Sequence, residues 1–130
     1  MSVQWPNSLN RKLIDNIIDV AFSEDIGKGD ITSQAVIPKK TTFTGIMTAR
    51  EEMVCAGLPI AHRIFMRHSS SIIWKTIAKD GDKIQAGNAL AEIKGPAIEL
   101  LTAERTAINI LQHLSGIATL TRSYADQISD

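Results

Sequence analysis

One cysteine, Cys55, is all that the 130-residue chain contains. No disulfide can therefore close within it, which suits a reducing cytoplasm. No charge of one sign dominates, since Lys and Arg number 14 and Asp and Glu also 14. That balance removes a general pull toward nucleic acid or an anionic membrane. No run of about 18 apolar residues is present to span a bilayer. The opening MSVQWPNSLNRK lacks the apolar stretch of a secretion signal. Internal repeats and low-complexity tracts are missing too.

What remains is ordinary for a soluble globular domain: 44% apolar and 22% charged residues, in a length that supports one compact core. Asn7 and Ser8 are good helix caps, and Leu9, Leu13, Ile14, Ile17, Ile18 and Ala21 follow at helical spacing. This helix should end near Glu24–Gly27. A polar loop follows, in which Asp30 or Thr32 caps a short turn through Ser33–Val36 before Pro38. Thr41–Arg50 and Met53–Ala56 read as strands. Gly57 marks a turn, and Pro59 suits the first turn of a second helix carrying Ile60, Ala61, Ile64, Phe65 and His68. Ser71–Ile77 is β-rich, Asp80–Gly81 and Gly87–Asn88 are turn signals, and Leu90–Ile93 reads as a short strand. Gly95–Pro96 opens a long helix over Ala97–Leu114. Ser115–Gly116 is expected to punctuate it, with a second helix from Ile117 carrying Leu120, Tyr124 and Ile128 on one stripe. The order predicts an α+β fold, a sandwich-like domain with helices on a small antiparallel or mixed sheet. The last helix reaches Asp130 without a closing cap and with its stripe in phase, so the natural chain is expected to continue.

The long helix carries most of the functional information. At about 100° per residue, Ala97, Leu100, Ala103, Ala107, Ile110, Leu111 and Leu114 form an apolar arc. Opposite lie Thr102, Arg105, Asn109 and Gln112, a continuous stripe. A solvated face is the ordinary explanation, but such faces favour Lys and Glu. Thr, Asn, Gln and a single Arg suit a fixed hydrogen-bond network, in which the guanidinium can grip a carboxylate through two parallel bonds. Glu104 falls inside the apolar arc. It is expected to be buried and paired with a cation or backbone N–H groups, a structural role preferred to that of a catalytic acid.

Other motifs exclude more than they assign. Gly27-Lys28-Gly29-Asp30 lacks the spacing of a phosphate-binding Walker loop. Asp25 and Asp30 lack the distal Glu of a calcium loop. His62, His68 and His113 have no metal-ligand spacing, and Cys55 with His62 would be only two ligands. His113 lies on the polar side of the long helix near Asn109. Lys79–Ile93 looks like a biotinyl-type hammerhead without the hairpin lysine that such a carrier modifies.

Three ordered segments carry a resemblance over nearly the whole chain: EDIGKGDITSQAVIP at 24–38, AREEMVCAGLPIA at 49–61, and KDGDKIQAGNALAEIKGPAIELLTAERTAINILQHLSGIATLTRSYAD at 79–126. They resemble the quinolinate phosphoribosyltransferases (nicotinate-nucleotide pyrophosphorylases). The resemblance implies that residues 1–114 form an N-terminal α+β domain, and that 115–130 begin a helix leading to an α/β barrel absent from these residues. It implies that Arg105 binds a carboxylate of quinolinate in the active site of a neighbouring subunit and that these residues hold no catalytic residue of their own; Thr102, Asn109 and Gln112, on the same stripe of the wheel, are the candidate supporting residues. It further implies a cytoplasmic homo-oligomer, a dimer, and magnesium held with phosphoribosyl pyrophosphate on the barrel. These 130 residues alone are then expected to be inactive. A molybdenum-associated paralogue would carry Trp-Lys where this chain has Glu104-Arg105, and a stand-alone dimerisation or interaction domain is the non-enzyme alternative.

Overall fold

Helix α1 (Arg11–Gly27) starts where the side-chain oxygen of Asn10 accepts a hydrogen bond from the Leu13 N–H at 3.2 Å. Asn10 thus satisfies one of the free donors of the first turn. The computed structural model describes residues 10–27 and 41–128. The proposed caps Asn7 and Ser8, the loop beyond Gly27 and the turn through Ser33–Val36 lie outside the described residues. From Thr42 the chain runs β1 (Thr42–Thr48), β2 (Met53–Val54), α2 (Leu58–His68), β3 (Ile73–Thr76), β4 (Lys83–Ile84), β5 (Ala89–Pro96) and α3 (Ala97–Ile128). The α+β expectation holds, and all described strand pairs are antiparallel: a three-stranded sheet in the order β1-β5-β3, and a small β2-β4 pair.

Strands β1, β2 and β3 end within two residues of expectation, and two boundaries differ by more. Strand β5 is longer than Leu90–Ile93, because β1 pairs with it as far as Thr42 opposite Pro96. Gly95 belongs to this strand: a Cβ there would lie 3.2 Å from Ile72 Cα, a tight contact that a larger residue could meet only if the neighbouring backbone gave way by a few tenths of an ångström. The second difference is larger. No break occurs at Ser115–Gly116; α3 is one helix of 32 residues, Ala97–Ile128. Gly116 is tolerated inside it at a modest propensity cost. Ser115 is not a breaker, because its side chain is buried and hydrogen-bonded to Ala56.

The core gathers Ile18 and Phe22 from α1, Leu58, Ile64 and Phe65 from α2, Ile93 from the sheet, and Leu100, Ala103, Ala107 and Leu111 from α3. Register explains which sheet face joins it. Gly45, Ile93 and Trp74 lie in one row across the sheet, and the Trp74 ring stands 5.3 Å from His62 and 5.9 Å from Phe65 of α2. Side chains alternate along a strand, so the next row, Ile46, Glu92 and Lys75, faces away, and Ile46 is exposed. Helix α1 is tied to α2 by ions as well as by packing. Arg63 donates to both carboxylate oxygens of Asp15 at 2.8 and 2.9 Å, and Arg67 pairs with Asp19 one turn further along. At the far end of α2, His68 Nε2 sits 2.8 Å from Glu99 Oε2 in the first turn of α3.

Candidate functional site

Helix α3 rolls its small and branched residues inward. Ala97, Leu100, Ala103, Thr106, Ala107 and Leu111 are buried. The opposite stripe is where the sequence put it: Arg105, Asn109 and Gln112 are exposed along one face. Among the described residues, Arg105 has neither an ion pair nor a hydrogen-bond partner. Arg63 and Arg67, by contrast, are both committed to Asp15 and Asp19. A bare guanidinium beside Asn and Gln keeps its whole donor fork for an outside carboxylate. Thr102, half-buried, turns its hydroxyl into its own helix and donates to Ile98 O at 2.7 Å. Its oxygen retains accepting capacity.

Glu104 departs from expectation. It is half-buried rather than buried, and among the described residues it has no ion pair or hydrogen bond. The buried arc centres on Ala103 and Ala107, which leaves Glu104 on its rim. A long side chain at a rim can carry its carboxylate toward water. Beside this face, between α1, α2 and α3, lies an open groove walled by Ile14, Ile17, Ile60 and Ile110, with Asn109 and His113 as its polar members.

The remaining candidates are mainly structural. Cys55 is fully buried, and burial, with smaller contributions from Asp80 and Asp82, pushes its pKa up to about 12. It stays a thiol at neutral pH and is no nucleophile. Burial, and then Arg63, pulls the His62 pKa below 6.5. Among the described residues no three His, Cys, Asp or Glu side chains converge.

Four further residues escaped the sequence reading. Asp80, expected only to make a turn, accepts from the N–H groups of Gly57 and Leu58 at 3.1 and 3.0 Å. It caps α2 from a distant loop. Ser115, 1% exposed, accepts from the Ala56 N–H at 3.0 Å and donates back to Ala56 O at 3.1 Å. Thr119 accepts from the Val54 N–H at 2.9 Å and donates to Ser115 O at 2.7 Å. Thr106 is buried. A signal was available: Ser115 and Thr119 prolong the apolar arc at a spacing of four, and a polar group on a buried arc needs a partner.

Residues 30–115, more than half of the chain, match the family model described as the quinolinate phosphoribosyl transferase N-terminal domain. The chain belongs to the quinolinate phosphoribosyltransferase family. Among its relatives, the Nicotiana tabacum quinolinate phosphoribosyltransferase [decarboxylating] 1b is 36% identical over 114 residues, covering 87% of this chain and 33% of the tobacco protein. The probable nicotinate-nucleotide pyrophosphorylase [carboxylating] of Bacillus subtilis is 35% identical over 122 residues, 94% of this chain and 42% of that protein. The crystal structure of NadC from Streptococcus pyogenes superposes with a TM-score of 0.90 at 33% identity, over 96% of this chain and 45% of that one. The chain thus spans a third to somewhat under half of the length of these relatives, and it matches the N-terminal domain of the family.

Proposed function

We propose that this chain is the N-terminal part of an enzyme of NAD biosynthesis. The enzyme joins quinolinate to phosphoribosyl pyrophosphate and releases nicotinate mononucleotide, pyrophosphate and carbon dioxide. The observation that carries this reading is Arg105: within a chain of this family, it stands unpaired among the described residues on a polar face of α3. In the proposal Arg105 holds one carboxylate of quinolinate by two parallel bonds, and Asn109, Gln112 and Thr102 support it. The rest of the site belongs to a barrel of another subunit, in a homodimer. A multiply charged pyrophosphate group needs several cationic or hydrogen-bonding groups at once. Those groups, and the magnesium that accompanies the donor, belong on the barrel in this reading. These 130 residues alone are then inactive. The lone buried cysteine suits a cytoplasmic protein, and no described helix is long and apolar enough to cross a membrane.

The test uses the full-length protein. Arg105→Ala should weaken quinolinate binding by roughly tenfold to a hundredfold, the worth of a charge-assisted bidentate contact, while leaving the melting temperature within a degree or two. Calorimetric titration with quinolinate reads the first and a thermal scan the second. Unchanged affinity would remove Arg105 from the site. A full-length protein that neither binds quinolinate nor makes the mononucleotide would point instead to an interaction domain, a reading favoured by the exposed apolar stripe of Ile117, Leu120, Tyr124 and Ile128.

A further inference from the structure

Residues 54 and 56 of one extended segment meet residues 115 and 119 of α3 through three hydrogen bonds, and a fourth within α3 completes the device. Thr119 and Ser115 each accept from a backbone N–H, of Val54 and Ala56 respectively. Ser115 also donates to Ala56 O, and Thr119 donates to Ser115 O. The spacing is what lets both hydroxyls engage together. Alternate residues of an extended chain lie roughly 6.5–7 Å apart, and residues four apart on a helix rise about 6 Å. Helix α3 can therefore neither slide by a residue nor roll appreciably without breaking the set. Packing of Ala103, Ala107 and Leu111 and the His68–Glu99 pair also hold α3, but the apolar contacts are non-directional and neither of these ties α3 to a backbone N–H as this set does.

Arg105 lies ten residues before Ser115, about 15 Å along the axis and roughly 80° around it. A roll of about 10° would move a guanidinium some 9 Å off the axis by roughly 1.5 Å. Displacements on the order of 1 Å are enough to spoil an aligned contact. We infer that Ser115 and Thr119 are positioning residues for substrate binding: by fixing the roll and register of α3 on segment 54–56, they aim Arg105 at the carboxylate of quinolinate. This rests on the role proposed for Arg105.

Thr119 is the residue to change, because removing the buried Ser115 hydroxyl strips Ala56 of two partners at once. In the full-length protein, Thr119→Val keeps the shape and deletes the hydroxyl, and Thr119→Ser keeps the hydroxyl. Quinolinate affinity should fall about tenfold in Thr119→Val and return to within about twofold in Thr119→Ser, with the KM for phosphoribosyl pyrophosphate unchanged. In an Arg105→Ala background, Thr119→Val should cost nothing further, since the group it aims is gone. Should Thr119→Val fail to fold, Thr119→Ala carries the same comparison. Unaltered affinity in the hydroxyl-free variant overturns the inference. So does an equal loss in both backgrounds, which would make Thr119 merely structural. If Arg105→Ala itself binds quinolinate normally, the role of Arg105 falls first and the positioning role with it; a silent Thr119 beside a damaging Arg105→Ala sinks the positioning role alone.

Discussion

Gly57 shows how much one residue decides. Its φ of 101° places it in the left-handed region, where a side chain is strained. A Cβ there would stand 2.9 Å from Leu114 Cδ1, and both its N–H and that of Leu58 are held by Asp80. Gly57→Ala should lose about 2 kcal/mol, read as a lower urea midpoint with an unchanged slope. The turn at Gly57 was legible, since glycine before Leu-Pro punctuates a helix start. Its clamp was not, because Asp80 lies far along the chain and any sequence window sees it only as half of an Asp-Gly turn. The place of Arg105 on an exposed stripe, as distinct from the substrate role proposed for it, was legible for the opposite reason. Its neighbours on the wheel are local, and their composition departs from that of a solvated face. Glu104 was misplaced because a wheel gives direction but not how closely the next element covers it.

At the scale of elements, α1 and α2 are joined by two arginine–carboxylate pairs set one turn apart on each helix. The hydrogen bond from Arg63 holds Asp15 below its ordinary pKa of 3.8, with charge attraction from Arg63 and Arg67 adding and burial opposing. A carboxylate held low in the fold binds protons more readily when unfolded. Its stabilisation is therefore present above pH 3.8 and lost as pH falls through the depressed folded value. Arg63→Met should lower stability by about 1 kcal/mol at pH 7. The gap to the unmodified protein should close progressively below pH 3.8, which denaturation curves at a series of pH values would follow. The helices themselves were readable from apolar periodicity. The unbroken α3 was not, since a Ser-Gly pair resembles a stop until the partner of Ser115 is known. The β2–β4 pairing also escaped notice, because two-residue strands leave no alternation to read.

Across the whole molecule, the 32 residues of α3 reach about 48 Å. Its second half leaves Ile117, Leu120, Tyr124 and Ile128 between 52% and 83% exposed, and α1 leaves Leu13, Ile17 and Val20 bare as well. Apolar patches of this extent mark association surfaces. The 130 residues in isolation should therefore self-associate, with a sedimentation coefficient that rises with concentration. Lys at Ile117 and Tyr124 should reduce the rise, and a single monomer species at millimolar concentration would contradict it. The layered architecture was legible from the alternation of patterns; the open faces were foreseen only through the family resemblance and its absent barrel, since an exposed stripe and a covered one share one periodicity.

The interval between Arg105 and Ser115 behaves as a ruler of fixed length. One inserted residue would swing the arginine about 100° around the axis, whereas most substitutions at the open positions between them leave its bearing unchanged. Heritable variation in this stretch should thus be spelled in letters and never in length, so that an alignment of functional homologues opens no gap there.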